Sequence, residues 1–176
     1  MAAFVLIVVA VLSRILPHPD WLNFTAVGGA LLYFGARRPF RQAWVPLALL
    51  VATDYYLTVV FYSYPFHLSA YLLTWAWYVA VIVLGQILLS KKTSVSRVGA
   101  GIVLAPTSFF LITNFAAWAA MPQLYPRSLA GLGLSYAAGL PFYRNDLVST
   151  AIVASLAFGL PVVVHQFAQR HQPASI

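Results

Sequence analysis

The feature of this sequence that most limits its fold is a succession of long apolar runs that contain almost no charged residue. Hydrophobic residues make up 62% of the 176 residues and charged residues only 7%, with a mean hydropathy of +0.85. So few charges cannot cover the surface of a soluble domain, whereas lipid accepts an apolar exterior. The sequence therefore predicts an all-α membrane protein that forms a single transmembrane domain over residues 1–176.

Apolar runs and turn residues divide the chain into six predicted transmembrane spans. These cover about 2–16, 23–36, 43–62, 68–90, 97–119 and 145–168. The first run lacks the positive leader and cleavage site of a signal peptide, so we expect it to be retained as a helix. Between the fifth and sixth spans, glycine and proline interrupt the apolar pattern. This segment predicts a re-entrant or interfacial helix.

Basic residues indicate the orientation of the chain. Seven of the ten Lys and Arg lie in alternate connections or in the C-terminal tail: Arg37, Arg38, Arg41, Lys91, Lys92, Arg97 and Arg170. Basic connections remain on the cytoplasmic side of a membrane. The pattern therefore predicts both termini in the cytoplasm. It lacks the contiguous basic stripe of a nucleic-acid-binding surface, so no nucleic-acid partner is expected.

Asp54 is the most informative single residue, because the chain has only three acids and this one lies inside an apolar run. An ionisable side chain at membrane depth suggests a functional site. In the predicted topology Asp54 lies in the outer half of the third helix, and Asn114 lies near the outer end of the fifth. Tyrosine and tryptophan side chains, including Trp118 and Tyr136, are predicted at the same level.

Two interpretations of this polar level remain open. In the first, these residues form a pocket for a small heterocyclic or aromatic ligand, which Asp54 and Asn114 orient. Alternatively, the aromatic residues form the interfacial belt common to membrane proteins, and Asp54 is a structural residue paired with Arg14 or Arg144.

Other chemistry finds little support in the sequence. His18, His67 and Asp20 follow no recognised metal-binding spacing, so no metal site is predicted. The catalytic motifs of common hydrolases and the glycine-rich loop of ATPases are missing, and no cofactor is expected. Uphill transport of a solute would therefore take its energy from a partner subunit or an ion gradient.

Two stretches of the chain carry a family resemblance. They are LPHPDWLNFTAVGGALLYFGA (16–36) and YPRSLAGLGLSYAAGLPFYRNDL (125–147), joined by Asp54 and by the TNF at 113–115. Together they resemble an uncharacterised bacterial family of small integral membrane proteins. That family is similar to the S components of energy-coupling factor (ECF) vitamin transporters, which are six-helix subunits that bind a ligand near the outer face.

The resemblance implies a function, a location and a set of contacts. Outer connections and helices four to six would form the pocket, and a vitamin or small precursor would be the ligand. A separate transmembrane partner with ATPases would power uptake across the bacterial cytoplasmic membrane. The residues expected to contact the ligand are Asp54, Asn114, Trp118, Asn23, His18, Tyr136, Arg144 and Asn145.

One departure from the S components concerns docking to the partner. S components commonly use an Ala-x-x-x-Ala stripe on their first helix, and AAFVLIVVAVLSRIL has no such pair. The nearest equivalent is Ala26 with Ala30 on helix two, which is therefore the expected docking surface. The alternative function is an accessory subunit of a larger membrane complex, which would have a filled interior and a buried lateral face.

Overall fold

The computed structural model describes residues 1–16 and 23–170, and within them it contains six α-helices and no strand. The helices are α1 (Ala2–Ile15), α2 (Val27–Arg37), α3 (Trp44–Tyr55), α4 (Leu68–Leu89), α5 (Val95–Ala120) and α6 (Leu129–Arg170). A 3-10 turn at Phe40–Gln42 precedes α3, and a π-helical turn at Tyr56–Phe61 continues it. The predicted all-helical fold is confirmed.

Four helical stretches of the described chain are long and apolar enough to cross a membrane. They are Phe40–Phe61, Leu68–Leu89, Val95–Ala120 and Leu129–Gln169. By contrast, α1 has 14 residues and α2 has 11. At about 1.5 Å per residue, both are shorter than a hydrocarbon core of about 30 Å. The structure is thus consistent with a multi-pass membrane protein, but the first two predicted spans are too short to cross a bilayer of that thickness alone.

Helix α2 lies at the centre of the bundle. Every residue from Val27 to Ala36 is buried, and the helix packs against α1, α4, α5 and α6. Its contact with α4 is a backbone contact. A Cβ atom on Gly35 would overlap the carbonyl oxygen of Ile82, and one on Gly85 would overlap that of Leu32. Small residues of this kind let membrane helices approach closely.

The prediction of a separate re-entrant or interfacial helix between the fifth and sixth spans is wrong. Residues from Leu129 onward form one continuous helix of 42 residues, α6, which contains Pro141 and Pro161. Membrane helices tolerate proline where neighbouring groups satisfy the freed carbonyls. Two of the glycines that suggested a break serve packing instead, since Gly131 lies against the Pro126 carbonyl and Gly139 against Asn114.

Candidate functional site

Asp54 lies in α3 with 3% of its surface exposed, and both of its carboxylate oxygens are occupied. Its Oδ1 accepts a hydrogen bond from Arg14 Nη2 at 2.5 Å, and this contact is also an ion pair. Its Oδ2 accepts one from Trp75 Nε1 at 2.8 Å. The carboxylate therefore ties α3 to α1 and α4. Asp54 lines neither of the two cavities described below, so its contacts fit the structural interpretation.

The π-helical turn after Asp54 is held to α4 by polar and aromatic contacts. Thr58 Oγ1 donates to the carbonyl of Asp54 at 2.7 Å and is also hydrogen-bonded to the Tyr71 hydroxyl. The Tyr71 ring stacks on Phe66 at 4.9 Å and on Trp75 at 6.0 Å between centroids. The other aromatic side chains of this region are exposed, as in an interfacial belt: Tyr55, Tyr56, Tyr62 and Tyr64.

A cavity of about 220 Å³ lies between α5 and α6, and we call it the α5–α6 cavity. Among the described residues, its polar lining consists of Asn23, Thr113, Asn114 and Asp146. Its aromatic lining consists of Phe109, Phe110, Tyr125, Phe142 and Tyr143. Asn23 and Tyr125 come from connections between helices, so the cavity is bordered by two helices and two connections. Apolar walls with a few convergent polar groups are typical of sites for small molecules.

Asn114 is positioned by contacts within α5 and with α6. Its Nδ2 donates to the carbonyl of Phe110 at 2.8 Å, and its own carbonyl accepts from Ser135 Oγ at 2.8 Å. A Cβ atom on Gly139 would overlap the Asn114 amide. The amide therefore has its place at the cavity wall because residue 139 has no side chain. With Nδ2 engaged, Oδ1 is the acceptor that remains for a ligand.

Asp146 is the one acid among the described residues that line this cavity. It lies in α6 with 7% of its surface exposed, one turn before Thr150, whose Oγ1 donates to its Oδ1 at 3.4 Å. Hydroxyl hydrogen bonds are usually about 2.7–2.8 Å long, so this contact is weak. Within residues 1–16 and 23–170 the Asp146 carboxylate forms no ion pair. A buried carboxylate with so little compensation is unusual.

A second cavity, of about 120 Å³, adjoins the first, and we call it the Arg14 cavity. The two share Asn23, Phe109 and Asp146 in their linings. Arg14 lines only the smaller one, and its Nη1 is buried without a hydrogen-bond partner in the part of the chain that the structure describes. Asp146 therefore lies where the two cavities meet.

The structure brings two of the predicted ligand-contacting residues, Asn23 and Asn114, to the α5–α6 cavity. Trp118 and Tyr136 have other contacts. The Trp118 indole donates to the carbonyl of Pro126 at 3.0 Å, and the Tyr136 hydroxyl donates to that of Leu111 at 2.9 Å. Neither lines the cavity; they join α5 to the following connection and to α6.

The remaining predicted residues do not line this cavity either. Arg144 is exposed and Asn145 is half-buried, and both are missing from its lining. His18 lies outside the described residues. Ala26 and Ala30 are 6% and 0% exposed. The predicted docking stripe is therefore packed inside the protein's own bundle, because α2 is a central helix and not a peripheral one.

Sequence reasoning missed Asp146, which lies at the start of the predicted sixth span (145–168) beside the polar residues Arg144 and Asn145. Two signals could have identified it. A long apolar run begins directly after Asp146, and Thr150 follows at the i+4 spacing that places both side chains on one helical face.

A family model matches residues 1–174 of the chain, and its description is a family of unknown function, DUF6580. Comparison with curated proteins gave no match, and comparison with solved structures gave none either.

Proposed function

Because the chain belongs to the DUF6580 family, whose function is unknown, we propose a function from its cavity: this is a membrane subunit that binds a small molecule. The observation that carries the proposal is the α5–α6 cavity, where Asn114 and Asp146 meet a largely aromatic wall. Its volume of about 220 Å³ is smaller than the roughly 300–1,000 Å³ of drug-sized sites. A ligand that fits is therefore small. A filled interior would have favoured an accessory subunit instead.

The position of the cavity suggests the side from which the ligand enters. Asn114 lies one to two turns before α5 ends, and Tyr125 lies in the connection that follows. In the orientation predicted by the basic connections, this end of the bundle faces outward. We therefore place the cavity at the outer side of the bacterial cytoplasmic membrane, with both termini in the cytoplasm.

Uptake would then need a source of energy outside this chain. By analogy with ECF S components, we propose a transmembrane coupling partner with ATPases, and a vitamin or small precursor as the transported solute. Since Ala26 and Ala30 are buried, such a partner would dock on a different surface from the stripe predicted from sequence.

The experiment that tests ligand binding is native mass spectrometry of protein purified gently from bacterial membranes. We expect a small molecule bound in a 1:1 ratio to the wild type and to Gly133→Ala, and its loss from Gly139→Ala. A methyl group at residue 139 displaces the Asn114 amide, whereas residue 133 of the same helix has open space around it. The two variants therefore differ in their effect on the cavity and share the same chemical change.

Two results would contradict the proposal. One is a wild-type protein that carries no small molecule under conditions that preserve its fold. The other is a Gly139→Ala protein that retains as much ligand as Gly133→Ala, which would place the binding site elsewhere. Partner subunits of fixed stoichiometry in the same spectra would identify the energising complex.

A further inference from the structure

We infer that the ligand of the α5–α6 cavity is a small organic cation whose positive group binds Asp146, an inference that rests on the proposed function. The first observation is the charge of the lining. Among the described residues around this cavity there is one acid, Asp146, and neither lysine nor arginine. A ligand that balances this lining carries a positive charge.

The second observation is that the protein itself does little to compensate Asp146. The carboxylate is 7% exposed and accepts a 3.4 Å hydrogen bond from Thr150. A buried carboxylate normally has an opposite charge or several short hydrogen bonds, because removing it from water is costly. A bound ammonium or similar group would supply both the charge and the donors.

Arg14 does not supply this balance. Its Nη2 is bonded to Asp54, so the Arg14–Asp54 pair is neutral as a unit. Arg14 also borders only the smaller, adjoining cavity. Of the acids in the described chain, Asp146 is thus the one whose side chain has no ion-pair partner among the described residues.

The aromatic wall favours an organic cation over a metal ion. Ring faces attract cations, and carboxylate-bearing aromatic pockets recognise ammonium groups. The rings are held in place, since Phe110 stacks on Tyr143 at 4.8 Å and Phe109 packs on Trp77 at 4.6 Å. A hard metal ion requires about six to eight oxygen ligands, and among the described residues no three His, Cys, Asp or Glu side chains lie together to hold one.

The test uses three probes that share one ring and differ in charge: benzylammonium, benzyl alcohol and benzoate. Binding to the full chain in lipid nanodiscs is measured by isothermal titration calorimetry, and Gly139→Ala protein provides the background from probe dissolved in lipid. We expect benzylammonium to bind about tenfold more tightly than benzyl alcohol, and benzoate to remain at background. In Asp146→Asn, benzylammonium should lose this advantage over benzyl alcohol.

A competition experiment separates organic from inorganic cations. Choline chloride should displace benzylammonium, and sodium chloride at the same ionic strength should not. Displacement by sodium alone would overturn the inference in favour of an inorganic ion.

The outcomes also separate this inference from the proposed function. If all three probes bind equally above background, or if benzoate binds best, the charge assignment is wrong and the cavity still binds small molecules. If none exceeds background, the inference is overturned, and native mass spectrometry of the co-purified ligand decides the proposed function. The charge series in wild-type protein gives an answer even if Asp146→Asn fails to fold.

Discussion

Asp54 illustrates how a buried acid in a membrane helix is explained by its neighbours. Its oxygens are bonded to Arg14 and Trp75, which come from helices before and after α3 in the sequence. A pair of this kind is costly to break, because removing one partner leaves the other charge buried and alone. Stability, and not ligand affinity, is therefore the property that should respond to mutation here.

Asp54→Asn preserves side-chain volume and removes the charge, leaving Arg14 without its counter-ion. We expect a loss of about 3 kcal/mol in the free energy of unfolding, at the low end for a broken buried pair because the Arg14 side chain is 17% exposed. Thermal unfolding in detergent measures this loss. The ligand retained per folded molecule should be unchanged.

The double variant Arg14→Met, Asp54→Asn is the control for this interpretation. It removes both charges, so it should be more stable than the sum of the two single losses predicts. Additive losses would show that the ion pair contributes little. If Asp54→Asn instead retained less ligand at unchanged stability, Asp54 would belong to the binding site.

The sequence could identify some of the cavity residues but not their arrangement. Asn23 and Asn114 belong to the motifs that carry the family resemblance, and both line the cavity. The sequence could not decide whether Arg14 or Arg144 forms the ion pair with Asp54. Arg14 is separated from Asp54 by 40 residues, and only the packing of α1 against α3 brings the two together. Asp146 lies at the start of the sixth predicted span, and local sequence does not show that its side chain lines a cavity.

At the scale of helices, the crossing of α2 and α4 depends on two glycines whose hydrogens face backbone carbonyls. We expect Gly35→Ala and Gly85→Ala each to lower the free energy of unfolding by at least about 1–3 kcal/mol, the usual range for overpacking. A backbone oxygen cannot rotate away as a side chain can. Thermal unfolding and the yield of monodisperse protein measure the effect.

Gly99→Ala is the matched control, since a Cβ atom at residue 99 meets nothing within 4 Å. It should be neutral or slightly stabilising, because alanine has the higher helix propensity. Wild-type stability for Gly35→Ala and Gly85→Ala together would mean that α2 and α4 do not touch as described.

The hydropathy pattern located most helices well, and it failed where glycine residues serve helix packing and do not end a helix. The predicted span at 68–90 corresponds to the helix Leu68–Leu89, and the predicted span at 97–119 corresponds to the helix Val95–Ala120. For α6 the same rules failed, since Gly131 and Gly139 suggested a break. The packing role of Gly139 cannot be read from local sequence, because it depends on the Asn114 amide, which α5 supplies. Gly131 packs against the carbonyl of Pro126 in the preceding connection.

For the whole molecule, the proposed orientation can be tested with single cysteines, because the chain contains none. Gln123 and Lys92 are both exposed, in connections that we assign to opposite sides of the membrane. A membrane-impermeant maleimide should label Gln123→Cys in intact spheroplasts, and Lys92→Cys only after permeabilisation. The opposite pattern would place the cavity mouth on the cytoplasmic side and contradict uptake from outside.

The enclosure of α2 has a consequence for biogenesis. This helix leaves the ribosome second, yet it packs against α6, which is made last. In the newly inserted amino-terminal half, α2 therefore lacks its contacts with α6 until synthesis is complete. Truncation before α6 should yield a chain that membrane quality-control proteases remove rapidly, since intermediates with incomplete packing are the vulnerable ones.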